Sequence, residues 1–269
     1  MSFELVDDVS NANKLLVPVT GTNELFAGQL VQWTGEGVAA LGVANGAYDA
    51  TDDSVVAGIV LGTTNEDKVF EDGTTVSGFA GEEITGLVTQ AGLTGRTQIG
   101  NRGMYAKGEK MCLVEIAKIY ADTRIKGRFY NAAYGTAPTL LTSTNTSTDG
   151  LGITTNAADV AGVVDFSTLY CRSGANARSY RVTDDTSTTV HTNDIPFTND
   201  IAIGATFVKV FGKQGFARLQ FDAQSLYINT AAVTTSYWGV FIDTMDLRVA
   251  GEESCIFTFS AQHLGIPTA

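Results

Sequence analysis

The stretch from Leu16 to Thr64, LVPVTGTNELFAGQLVQWTGEGVAALGVANGAYDATDDSVVAGIVLGTT, sets short apolar runs between clusters of Gly, Asn, Asp and Thr. Such punctuation predicts several strands joined by tight turns. Gln29 to Trp33 reads as a strand, and Gly28 beside it marks a turn, a bulge or a close backbone approach. Gly35 and Gly37 bracket Glu36 as a hairpin turn requires, and Val38 to Val43 returns as a small-residue apolar strand. Val55 to Leu61 is rich in β-branched residues, too short for a helix, and predicted to be buried on both faces.

The same logic recurs about a hundred residues on. Lys126-Gly127-Arg128-Phe129-Tyr130 stands as Ala27-Gly28-Gln29-Leu30-Val31 does, and Val160-Ala161-Gly162-Val163-Val164 repeats Val56-Ala57-Gly58-Ile59-Val60. This reads as a diverged duplication, although an all-β chain rich in Gly, Ala and Val also produces such matches by chance. A fainter echo pairs Ala80 to Glu83 with Ala250 to Glu253.

The 269 residues suffice for a sizeable core, and with 44% hydrophobic against 17% charged residues the chain is expected to fold. Its net charge of −12 argues against a phosphate-neutralising surface, so nucleic acid is not expected as a partner. The basic groups Lys118, Arg124, Lys126, Arg128 and Arg172, Arg178, Arg181 read as salt-bridged surface or subunit contacts. MSFELVDDVSNANK carries acids where a secretory signal needs positive charge, and no run is long enough for a membrane span, so a cytoplasmic origin without membrane contact is expected. Cys112, Cys171 and Cys255 are odd in number and far apart, which favours buried thiols over a disulfide.

Residues 1–14 read as an N-terminal arm, with Phe3, Leu5 and Val6 as its apolar contacts. Residues 15–118 form a first β unit, expected as a short-stranded barrel or β-tulip, with further strands at Thr75 to Phe79, Glu83 to Thr89 and Lys110 to Ile116. Residues 119–170 form the second, repeat-like unit, in which TLLTSTNTSTDGLGITTNAAD reads as an exposed polar loop. Residues 171–269 are expected to form a β-sandwich or jelly roll, with strands at 205–211, 216–221, 237–242 and 255–260, a further short one at 247–250 and a short helix within Asp222 to Ala232. The period of two in Ile256 to Ser260 is clean. The fold class is therefore all-β with very little helix.

No catalytic or metal-binding signature emerges, and no cofactor is expected. His191 and His263 have no metal-ligand spacing and read as surface or core-edge residues. Asp49, Asp52 and Asp53 match no calcium loop, and Asp184-Asp185, Glu82-Glu83 and Glu252-Glu253 are similar. Asn145-Thr146-Ser147 has the form of a glycosylation sequon, which has no meaning without a secretory signal. Trp33, Trp238 and the tyrosines, interleaved with Val, Ile and Phe, read as core.

Phe26-Ala27-Gly28-Gln29-Leu30-Val31, Gly35-Glu36-Gly37-Val38-Ala39-Ala40-Leu41 and Val56-Ala57-Gly58-Ile59-Val60 together resemble the early segment of bacteriophage head decoration (cement) proteins. The resemblance covers roughly the first 65 residues and, less well, residues 119–170, and it rests on small and turn-forming residues. It implies a non-enzymatic β protein of the virion that sits as trimers on the capsid exterior, binds the major capsid protein and reinforces the expanded shell. Phe3, Leu5 and Val6 are the expected capsid contacts. A major capsid protein should show a long spine helix, which this sequence lacks. A tail-tube subunit and a carbohydrate-binding adhesin or glycan hydrolase remain as alternatives.

Overall fold

A computed structural model describes residues 3–6, 14–19, 25, 28–34, 37–42, 55–62, 68–69, 75–76, 112–130, 138, 140–145, 151–156, 167–173, 176, 179–187, 190–222, 225–229 and 237–264. The chain is all-β. Its first strands are β1 (Glu4–Leu5), β2 (Lys14–Val19), β3 (Leu30–Trp33), β4 (Val38–Ala40), β5 (Val56–Gly62), β6 (Lys68–Val69), β7 (Thr75–Val76) and β8 (Cys112–Lys118). There follow β9 (Ile125–Arg128), β10 (Leu140–Thr142), β11 (Gly152–Thr154), β12 (Ser167–Cys171), β13 (Ser179–Ser187) and β14 (Val190–Asn193). The last are β15 (Thr206–Phe211), β16 (Gly215–Leu219), β17 (Trp238–Asp246) and β18 (Ser254–Phe259), before a 3-10 turn at Ala261–Leu264.

Strands β2, β4, β3, β5 and β8 close into a barrel, as expected for the first unit. The β3–β4 hairpin turns where its glycines predict, with the Thr34 N–H donating to the Gly37 carbonyl at 2.8 Å. Val17, Leu25, Val31, Val38, Ala57, Val60 and Ile116 fill the interior. Leu30, Leu41, Val56 and Ile59 point the other way, into the larger core shared with the C-terminal sheets. Residues 56–60 are all buried, so β5 is covered on both faces. One face lines the barrel interior and the other the shared core, and a bulge shifts the alternation between them: Val31 faces Gly58 while Gln32 faces Val56, leaving Ala57 as the extra residue. The bulge presses Gly58 against β8, where an added Cβ would lie 2.3 Å from the Ala117 carbonyl oxygen.

The C-terminal strands form two antiparallel sheets. One runs β1-β9-β18-β17-β16 and the other β10-β15-β12-β13-β14-β11. Val208 and Val210 of β15 enter the core that lines the inner face of the five-stranded sheet, which makes the pair a sandwich. The alternation predicted for the last strand holds, with Cys255, Phe257 and Phe259 pointing into that core.

Several expectations change. The Thr/Ser-rich tract is not simply a loop: it supplies β10 and β11, whose Leu141 and Ile153 are buried in a third core with Leu169 and Phe207. Those two edge strands meet at a Ser143–Thr155 bridge, so the six-stranded sheet comes round on itself. Within 222–232, residues 222 and 225–229 are not helical: Ser225 takes a left-handed φ of 53° and the Asp222 carboxylate accepts from the Leu226 and Tyr227 N–H groups at 2.6 and 2.8 Å, while 223, 224 and 230–232 lie outside the described residues. Residues 247–250 are a turn rather than a strand. In the suggested repeat, Gly28 sits at φ 78° just before β3, whereas Gly127 lies within β9 of the open sheet. Residues 160–164 and 83–89 lie outside the described residues.

Gly58→Ala should therefore lower the unfolding free energy by about 2 kcal/mol or more, because the collision is with backbone. Denaturant titration checks this, and an unchanged midpoint would show that the bulge can relax freely.

Candidate functional site

The N-terminal segment was the expected contact element, and the structure makes it part of the chain's own sheet. Leu5 pairs with Ile125 and Glu4 with Lys126, while the Val6 N–H donates to the Arg124 carbonyl at 3.0 Å. Phe3 is not free for a partner, being 2% exposed. Its N–H donates to the Gly28 carbonyl at 3.0 Å, and its ring meets Phe221 and Phe257 edge-on at 5.3 and 6.1 Å. The ring lies over Gly127, where an added Cβ would come within 2.5 Å of it. At residues 3–6 the expected arm is a core-forming edge strand; residues 7–13 lie outside the described residues. Leu5 is half-buried and Val6 is exposed.

Beside this strand a cleft of about 340 Å³ opens between Glu4, Lys126, Arg128, Asp246, Glu252 and Ser254. It mixes charges of both signs. Arg248 donates to Asp246 at 2.6 Å, and this hydrogen bond, outweighing the opposing effect of partial burial, holds the Asp246 carboxyl down at about 2. The other basic residues are engaged too. Arg124 pairs with Asp243 at 2.7 Å, Lys118 lies over the Tyr120 ring, and Arg128 donates to the Gly251 carbonyl. Arg172 reaches from the end of β12 to the turn before β18, donating to the Leu247 carbonyl at 2.9 and 2.8 Å and to Glu253 at 2.5 Å. That pair is buried, so removing either partner would strand a charge away from water. Arg178 lies outside the described residues, and Arg181 is placed by its backbone in β13.

The remaining candidates for chemistry serve packing. His263 is 2% exposed, and its Nε2 accepts from the Gly239 N–H at 2.8 Å, which fixes the neutral ring against Trp238. No local pattern around His263 signals this role, since the partner is a backbone group of β17. His191 lies in β14 opposite Asp185 of β13. Cys171 and Cys255 are buried free thiols, and burial raises both above the usual thiol value. Trp238 is core and Trp33 packs partly buried against the barrel interior. Residues Asp49, Asp52, Asp53, Glu82 and Glu83 lie outside the described residues. Among the described residues no three His, Cys, Asp or Glu side chains converge as a metal site would need, and no helix is long and apolar enough to cross a membrane.

No protein-family model, curated protein or solved structure matches this chain.

The Asp246 pairing has a testable sign. Its folded-state pKa lies below the ordinary 3.8, so its contribution to stability is present above 3.8 and lost as pH falls through about 2. Carboxyl NMR titration should find Asp246 at about 2, and Arg248→Ala should return it toward 3.8. A titration unmoved by that substitution would assign the shift to another cause.

Proposed function

We propose that this chain is a structural subunit of a phage particle, a capsid decoration protein that binds the outside of an expanded head as a trimer and stabilises it. The observation that carries the reading is local: the small residues that give the resemblance are the ones that shape the barrel. Gly28 takes the left-handed turn into β3, and Gly58, beside the bulge at Ala57, lets β5 lie close against β8. The conserved chemistry of an enzyme is not needed for this role. Such a protein acts by mass action, since a ligand that binds only the expanded shell stabilises that state by its binding free energy.

The edge of β1 is the element offered to the major capsid protein. Glu4 and Val6 direct their backbone groups toward β9, so alternation turns the Leu5 N–H and C=O away from it. Among the described residues no strand pairs on that side of β1; the Phe3 N–H there is taken by the Gly28 carbonyl, so the groups on offer are those of Leu5. An extended capsid segment adding there would gain main-chain hydrogen bonds and contact exposed Val6. This keeps Leu5 and Val6 as contacts and assigns Phe3 the task of holding the edge in place.

Co-sedimentation with expanded capsids assembled without the protein tests the reading. Saturable binding at a fixed ratio to the shell subunit is expected, weakened when Leu5→Pro removes the outward N–H. Absence of binding together with self-assembly into rings or tubes would overturn it in favour of a tail-tube subunit.

A further inference from the structure

The outer face of the five-stranded sheet combines three features that together identify what covers it. The first is apolar exposure. Phe216 and Phe241 sit directly opposite each other on β16 and β17, edge to face at 5.7 Å, and remain 41% and 50% exposed. The inner-face neighbours Ala217 and Val240 are fully buried, so the aromatic pair is not there to complete this chain's own core.

The second is continuity. Register carries one row across the sheet from Phe216 through Phe241 to Thr258, and an adjacent row from Thr244 through Ile256 and Lys126 to Glu4. The aromatic pair and the mixed-charge cleft therefore belong to one surface.

The third is charge. The whole chain carries −12, so two copies approaching at random repel each other. On this face the charges cancel: Arg124 is paired with Asp243, Arg248 with Asp246, and Glu4 stands opposite Lys126. A locally neutral surface removes at this face the repulsion that the net charge imposes elsewhere, and the aromatics supply apolar area for a second copy to cover.

We infer that this face is where copies of the chain associate. The inference rests on the decoration reading only in expecting a closed oligomer, and its test uses purified protein without capsid, so the two fail separately.

Sedimentation equilibrium of the full chain is the experiment, with circular dichroism to confirm folding of each variant. The wild type should form an oligomer of fixed size. Phe241→Glu places a charge in the middle of the face and should weaken association by roughly tenfold or more. Lys126→Glu, a surface change that unbalances the charges, should weaken it as well and serves if Phe241→Glu fails to fold. Ile203→Glu, at a 67% exposed position in the turn before β15, should leave the oligomer intact. A monomeric wild type, an oligomer indifferent to both face variants, or a monomer that binds polysaccharide through this face would overturn the inference.

Discussion

The structure depends on a ring placed over a glycine. Phe3 comes from the very start of the chain, yet it is seated on Gly127 of β9, against Ile228, Phe221 and Phe257. Its backbone N–H is bonded to Gly28 at the entrance to the barrel. One residue thus ties the first strand, the barrel and the central sheet together. The fit exists because Gly127 has no side chain. Any Cβ there would lie within 3 Å of both the Phe3 and the Ile228 side chains.

Around that point the barrel and the sheet are joined by apolar burial and a few directed hydrogen bonds. Leu30, Leu41, Val56 and Ile59 face the same core as Trp238, Phe257 and Phe259. The Trp238 Nε1–H donates to the Gly42 carbonyl at 3.0 Å, the Leu30 N–H donates to the Ser225 carbonyl at 3.0 Å, and the Ser225 hydroxyl donates to the Leu41 carbonyl. These bonds satisfy strand-end groups that would otherwise be buried without partners. On the far side, Arg172 and Glu253 fasten the six-stranded sheet to the turn before β18. The outer face of the five-stranded sheet is left with the exposed Phe216–Phe241 pair and mixed charges. The edge left over is that of β1.

How much of this the sequence disclosed depended on whether the signal was local. The β3–β4 hairpin and the doubly buried β5 were legible because turn glycines and β-branched runs are short-range features, and β18 was legible from its clean alternation. Phe3 was misread because two or three apolar residues near a terminus look the same whether they wait for a partner or fill a pocket made by distant strands. The Thr/Ser tract was misread because one buried residue in each of β10 and β11 is too few to mark a strand. A short helix was expected within 222–232 because nothing in that sequence announces that the Ser225 hydroxyl bonds to the Leu41 carbonyl, 184 residues away. Of the expected contacts, Leu5 and Val6 stayed accessible to different degrees, while the mixed-charge cleft and the aromatic face went unread because each is assembled from several strands.

A double-mutant cycle on Phe3 and Gly127 tests the central constraint most directly. In the wild-type background Gly127→Ala should destabilise the protein, because the methyl group collides with the ring. In the Phe3→Ala background the same change should cost nothing or stabilise, because the methyl group enters the space the ring has left, giving a coupling of about 1 kcal/mol or more. Additive effects of the two substitutions would contradict the account, since they would mean that Phe3 does not occupy the place above Gly127.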